Sequence, residues 1–197
     1  MFYVGLTGNI ASGKSTALAY FHQQGIYTIS ADAIARELTS QPHILEKMKA
    51  YFGDTIIDEK GELIRPNVRK IITQDSVKRV WLENFLHPLI QQEITQRARQ
   101  SNSFYTVIEI PLLFDKKNYP FINRILLITA PVKQQIQRII ARDHCSISEA
   151  KAIIKIQPSL NIRKKFADNI IRNNQDHDYF VKQLAILHSK YLSESKM

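Results

Sequence analysis

The segment Gly8-Asn9-Ile10-Ala11-Ser12-Gly13-Lys14-Ser15 constrains the architecture more than any other part of the chain. It has the spacing G-x-x-x-x-G-K-[ST] of a phosphate-binding P-loop. Such a loop works between a strand and a helix, and both flanks comply. Phe2-Tyr3-Val4-Gly5-Leu6-Thr7 is a short apolar, β-prone run, and Thr16-Ala17-Leu18-Ala19-Tyr20-Phe21 reads as helix. In that setting the backbone N–H groups of the loop and of the first helical turn converge on a polyphosphate. Gly8 and Gly13 let the chain pass close without a Cβ. The expected nucleotide contacts are Gly8, Ala11, Ser12, Gly13, Lys14, Ser15 and Thr16. Lys14 supplies a point charge to the β- and γ-phosphates, and the Ser15 hydroxyl is a ligand for Mg²⁺. The plain alternative, a glycine-rich turn with a solvated lysine, is weakened by the flanking strand and helix.

Beyond the loop, strand-like and helix-like segments alternate. Ile26-Tyr27-Thr28-Ile29, Tyr105–Ile110, Arg124–Thr129 and the weaker Asn169-Ile170-Ile171 read as strands. Helical patterns cover 32–38, 42–53, 68–72, 77–86, 88–98, 132–142, 148–156 and 179–191. The alternation predicts an α/β fold, a P-loop NTPase core with a parallel β-sheet flanked by helices. The stretch between the second and third strands is too long for a simple crossover, so it is expected to form a helical insert. The boundaries predicted are 1–30, 104–131 and 161–197 for the nucleotide-binding core, 31–103 for a substrate-binding insert and 132–160 for a lid. Ligands in such sheets lie beyond the carboxyl ends of the strands, which places the P-loop, Asp32, Glu109 and Pro111 on one expected rim.

Three further groups carry candidate chemistry. Asp32 suits either a proton acceptor for an attacking hydroxyl or a helix N-cap, and spacing alone does not choose. Arg36 lies one helical turn on, as an ion-pair partner or a phosphate clamp. Arg138 and Arg142 share a helix face opposite Ile136, Ile139 and Ile140. Like charges at that spacing cost roughly 0.2–0.5 kcal/mol, tolerable on a solvated face. In a P-loop protein the pair also fits a lid that closes over the nucleotide, with Asp143 orienting one guanidinium. Glu109 closes its strand as either a metal-shell carboxylate or a local acceptor. His87-Pro88 reads as a helix start, which gives His87 a capping or packing role. None of the six histidines forms an H-E-x-x-H pair, and no Cys/His zinc spacing occurs.

Composition narrows the partners. Across 197 residues, 27 Lys+Arg against 18 Asp+Glu give a formal charge of +9, which favours anionic ligands. No basic low-complexity tail accompanies that charge, so it does not select nucleic acid. Cys145 is the single cysteine, which excludes an intrachain disulfide and points to a reducing compartment. With no basic segment before the first apolar run and no membrane-length apolar stretch, a cytoplasmic protein is expected.

Several pieces follow one another along the chain: L-T-G-N-I-A-S-G-K-S-T (Leu6 to Thr16), A-D-A-I-A-R (Ala31 to Arg36), H-P-L-I (His87 to Ile90), I-P-L-L-F (Ile110 to Phe114), R-I-I-A-R-D (Arg138 to Asp143), Gln157 and A-D-N-I-I-R-N (Ala167 to Asn173). Taken in that order, they resemble the dephospho-coenzyme A kinase family. The resemblance implies ATP-dependent phosphorylation of the ribose 3′-hydroxyl of dephospho-CoA, with Mg²⁺. It implies Asp32 as catalytic base, with Lys14 and Arg142 in catalysis, Arg138 and Arg142 on ATP, and Asp32, Arg36 and His87 on the substrate. The expected partners are ATP and dephospho-CoA, without nucleic acid or membrane, in a monomer or weak homo-oligomer. This chain departs from the family at four positions: Asn9 and Ala11 where glycines are frequent, Ser30 where many relatives have aspartate, and Asp115 where glutamate is usual. The rivals are a nucleoside or nucleotide kinase of the same fold and a nucleic-acid-associated P-loop NTPase. The latter should show an N-K-x-D motif or a basic stripe with stacking aromatics, and neither is visible.

Overall fold

The computed structural model describes residues 1–111, 113, 116–117 and 119–196. Asp115 and part of the Ile110 to Phe114 motif lie outside the described residues. The apolar runs form the parallel strands β1 (Phe2–Gly8), β2 (Tyr27–Ser30), β3 (Tyr105–Glu109), β4 (Arg124–Thr129) and β5 (Asn169–Arg172). Their order across the sheet is β2-β3-β1-β4-β5. β1 is central, and Leu6 stands opposite Glu109 on one side and Leu126 on the other. β3 is buried throughout and β4 nearly so, as expected of strands covered on both faces. The expected parallel sheet flanked by helices is the fold that forms.

The chain divides into two compact units, residues 1–30 with 98–197, and residues 31–97. In the first unit, α1 (Lys14–Gln23) and α9 (His177–Glu194) cover one sheet face through Phe21, Phe180, Leu184 and Tyr191. The other face leaves no room at Gly5, where an added Cβ would meet Leu113 at 2.5 Å. Three further helices belong to this unit: α6 (Val132–Asp143), α7 (Ile147–Lys155) and α8 (Leu160–Phe166). α7 starts at a capping box, in which Ser146 and Glu149 satisfy each other's backbone N–H groups. α8 has no counterpart in the sequence reading. Its seven residues, LNIRKKF, carry no apolar stripe.

The second unit holds α2 (Ala31–Leu38), α3 (Pro42–Phe52), a short 3-10 turn (Asp54–Ile56), α4 (Arg65–Gln74) and most of α5 (Ser76–Arg99). Its core is built on Ile44, Met48, Phe52, Ile56 and Val68. Trp81 stacks on Tyr51 with ring centroids 4.0 Å apart. Arg97 ties α5 to α2 by pairing with both Glu37 and Glu93. That hydrogen bond holds the Glu37 carboxyl below the usual range. Arg65 donates to the Arg36 carbonyl at 3.2 Å and to Thr39 Oγ1 at 3.3 Å, closing the end of α2.

The pattern predicts separate helices at 77–86 and 88–98, but α5 is one continuous helix with Pro88 inside it. Proline removes one ladder bond and crowds the preceding turn, a penalty of about 3 kcal/mol. Leu82, Phe85, Leu86 and Leu89 pack on the unit's core from both sides of Pro88, and that packing keeps the two halves in one helix. His87 is therefore an exposed mid-helix residue rather than a cap. Among the described residues no helix is long and apolar enough to cross a membrane.

Under the sheet, the Tyr105 hydroxyl lies 2.7 Å from His188 Nδ1. Burial pushes the Tyr105 phenol up and the His188 imidazole down, so the pair is neutral in the folded protein. A histidine whose pKa is depressed on folding binds its proton more readily when unfolded. Stability is then fully present above the unfolded value and declines as pH falls below about 6.5. We expect the melting temperature to drop between pH 7 and pH 5.5, and His188→Gln to flatten part of that drop. An identical pH dependence in the variant would remove His188 as its source.

Candidate active site

The P-loop is squeezed between two parts of its own unit. A Cβ on Gly8 would lie 2.3 Å from the Ile128 carbonyl oxygen, so β1 can approach the end of β4 only with glycine there. Gly13 sits at φ 109°, and a Cβ on it would lie 2.4 Å from Asn173 Nδ2. Ala11 has φ 55°, in the left-handed region that costs a non-glycine residue roughly 1–2 kcal/mol. That conformation is one a glycine would adopt without the cost. Ser12 is fully buried behind the loop, while Ser15 and Thr16 are exposed in the first turn of α1. Lys14 lies back across the loop, donating from Nζ to the carbonyls of Gly8 at 3.0 Å and Asn9 at 3.1 Å.

A cavity of about 310 Å³ opens over this loop. Ala11, Gly13, Ser15 and Thr16 line it together with Arg138 and Arg142 of α6. Asn173, Gln175, His177 and Phe180 line the rest. The first group offers amides, hydroxyls and guanidinium charge, which suit phosphates. The second offers amide and aromatic side chains, which suit a flat heterocycle.

The two arginines of α6 are not idle. Arg138 Nη1 donates to the Ala11 carbonyl at 3.1 Å, and Nη2 to Gln134 Oε1 at 3.4 Å. Arg142 makes a two-pronged contact with Asp143, at 2.7 and 2.8 Å. That hydrogen bonding raises the Arg142 pKa further against the opposing effect of burial. Asp143 thus orients one guanidinium, as the sequence suggests. Each arginine has its own oxygen partners, which offsets their mutual repulsion.

A third arginine, from α8, is buried beneath the same loop. Arg163 of α8 is 1 % exposed, and its Nη1 donates to Thr7 Oγ1 at 2.9 Å and to the Pro111 carbonyl at 2.6 Å. It fastens the strand that leads into the P-loop to the segment that follows β3. Burial lowers its pKa. Set in the run Arg163-Lys164-Lys165, it carries no local sign of burial; only the packing of α8 produces it.

Glu109, at the end of β3, is nearly buried and accepts a hydrogen bond from Ser30 Oγ at 3.1 Å. Asp32, Arg36 and His87 belong to the second unit, whereas the P-loop, Arg138 and Arg142 belong to the first. Asp32 stands in the first turn of α2, where a carboxylate meets the positive end of the helix dipole. Asp32 and Arg36 are both exposed, and no ion pair joins them among the described residues.

Comparison with known proteins decides the family. The sequence profile described as dephospho-CoA kinase matches residues 2–178. The chain belongs to the dephospho-CoA kinase family. The dephospho-CoA kinase of Legionella pneumophila (strain Paris) is 42% identical over 198 residues, covering 100% of this chain and 98% of that protein. Among solved structures, a Thermus thermophilus protein superposes with a TM-score of 0.82 at 26% identity, covering 95% of this chain and 97% of that one. The dephospho-CoA kinase from Campylobacter jejuni superposes with a TM-score of 0.73 at 28% identity, covering 99% and 98%.

Family membership sharpens the reading of Ser30. At this position the chain sets a hydroxyl that donates to Glu109. Two carboxylates so close would repel, and one would take up a proton. The serine gives Glu109 a hydrogen-bond donor in place of a second negative charge.

From the loop geometry, Lys14→Ala is expected to fold normally. It should lose at least about 10²-fold in kcat, the usual worth of a preorganised charge at a transferring phosphate. Steady-state kinetics on the purified variant, with its melting temperature as control, measures this. Near-normal turnover would remove Lys14 from the chemistry.

Proposed function

We infer that this chain transfers the γ-phosphoryl group of ATP to the ribose 3′-hydroxyl of dephospho-CoA, giving coenzyme A and ADP, the last step of coenzyme A biosynthesis. The match of the family profile over residues 2–178 carries this reading. A cavity floored by a complete P-loop and flanked by two arginines supports it. A nucleoside or nucleotide kinase of the same fold is not favoured, because the full-length relatives are dephospho-CoA kinases.

In the mechanism we propose, phosphoryl transfer depends on alignment and charge stabilisation more than on strong base catalysis. The loop amides and Lys14 hold the β- and γ-phosphates. The side chains present suit Mg²⁺, a hard cation that takes oxygen ligands. The Ser15 hydroxyl opens on the cavity, and Glu109 offers a carboxylate on the same unit. Bound with ATP, Mg²⁺ supplies positive charge to the phosphates, and Ser15 is the residue that would hold it. Arg138 and Arg142 exchange backbone and carboxylate partners for phosphate oxygens. Asp32 accepts the proton of the 3′-hydroxyl and aims its oxygen. Arg36 and His87 contact the substrate.

The division of labour follows. Residues 1–30, 104–131 and 161–197 bind the nucleotide, residues 31–103 take dephospho-CoA, and residues 132–160 act as the lid. The charge of +9 suits two polyanionic substrates. ATP and dephospho-CoA are the partners, with no role for nucleic acid or membrane, in a monomer or weak homo-oligomer. A single cysteine fits a reducing cytoplasm.

A coupled assay with ATP and Mg²⁺ should show turnover of dephospho-CoA and little of nucleosides or nucleoside monophosphates. Preference for a nucleoside acceptor would overturn the substrate assignment. Asp32→Asn should reduce kcat severely while ATP affinity holds, because asparagine keeps the shape but takes no proton. Unchanged kcat would remove Asp32 as the base. Amide hydrogen exchange should show 132–148 protected by a non-hydrolysable ATP analogue, with Arg142→Ala losing that protection and sparing the P-loop's. Indifference of that segment to nucleotide would end the lid assignment.

A further inference from the structure

The carbonyl side of the P-loop is held as firmly as its amide side is open. Asn173 Nδ2 donates to the Ser12 carbonyl at 2.9 Å. Arg138 Nη1 reaches the same oxygen at 3.5 Å while bonding the Ala11 carbonyl at 3.1 Å. Asn173 is itself anchored at its other end, its backbone N–H donating to the Thr129 carbonyl of β4 at 2.7 Å. Only 8 % of it is exposed. The side chain therefore spans from the sheet to the loop and fills the space that Gly13 leaves by lacking a Cβ.

In a trans peptide the carbonyl of one residue and the N–H of the next point in opposite directions. With the Ser12 carbonyl drawn toward Asn173, the Gly13 N–H is turned the other way. Gly13 lines the cavity beside Ser15 and Thr16, where a polyphosphate would lie. A peptide free to rotate would present its carbonyl to the phosphate in part of its conformations, with repulsion in place of a hydrogen bond.

We propose that Asn173 is a positioning residue for the phosphates: it sets the Ser12–Gly13 peptide so that the Gly13 amide faces them. This rests on the reading of the loop as the ATP phosphate site. It differs from the other role its place in the cavity allows, which is contact with the base. Arg138 is the second support on the same carbonyl until phosphate draws it away.

The test uses the full chain with Asn173→Ala and Asn173→Asp. The second keeps the volume and removes the donor. Calorimetry with tripolyphosphate and Mg²⁺ reads the phosphate site without a base, and adenosine reads the base site without phosphate. Loss of one hydrogen bond should weaken tripolyphosphate binding about tenfold in Asn173→Ala. The effect should be larger in Asn173→Asp, whose carboxylate repels both the Ser12 carbonyl and the phosphate. Adenosine affinity should hold in both, and the KM for ATP should rise by the factor lost with tripolyphosphate. Unchanged tripolyphosphate affinity in both variants would overturn the proposal. So would an equal loss for adenosine, the result of a base contact or of general unfolding. If Asn173→Ala melts early, the isosteric Asn173→Asp decides. Failure of the unaltered protein to bind tripolyphosphate would instead count against the nucleotide reading, and the proposal with it. Turnover of dephospho-CoA by the unaltered protein tests the acceptor separately.

Discussion

The structure depends on one close approach, that of Gly8 to the Ile128 carbonyl at the end of β4. Any side chain at this position would push β1 from β4 where the strand turns into the P-loop. That contact brings the loop near enough to β4 and β5 for Asn173 to reach the Ser12 carbonyl. Three residues on, Ala11 stands at φ 55°, with its carbonyl in range of Arg138. The loop is shaped by what holds its carbonyls as much as by its own glycines.

The cationic side chains around the same loop rest on oxygen atoms of the chain itself. Lys14 and Arg138 rest on backbone carbonyls, Arg142 on Asp143 and Arg163 on Thr7 and the Pro111 carbonyl. All of these bonds have a charged donor, and only that of Arg142 also has a charged acceptor. Arg163, buried at 1 %, is fixed in place. Burial separates Arg163 from the more exposed Lys14, Arg138 and Arg142.

The second unit obeys a different constraint. Its helices share a small core of their own, with Trp81 stacked on Tyr51 and Arg97 bridging Glu37 and Glu93. Packing on that core carries α5 past Pro88. A local rule about proline lost there to side-chain burial, since several apolar contacts outweigh one missing ladder bond.

Sequence alone determined the P-loop, the parallel α/β fold and the family, because each rests on spacing, apolar runs or motif order along the chain. The strand Arg124–Thr129 and the helix beginning at Val132 could be read from six or so neighbouring residues. Tertiary structure decided what depends on partners far away in sequence. Arg163 looks like one of three solvated cations until α8 sets it against Thr7, 156 residues away. Asn173 looks like a strand terminus until it meets Ser12, 161 residues away. Ser30 looks like a lost carboxylate until its hydroxyl is found on Glu109. Local propensity is written within a turn or two of each residue, whereas burial and hydrogen-bond partners exist only once the sheet has brought distant segments together.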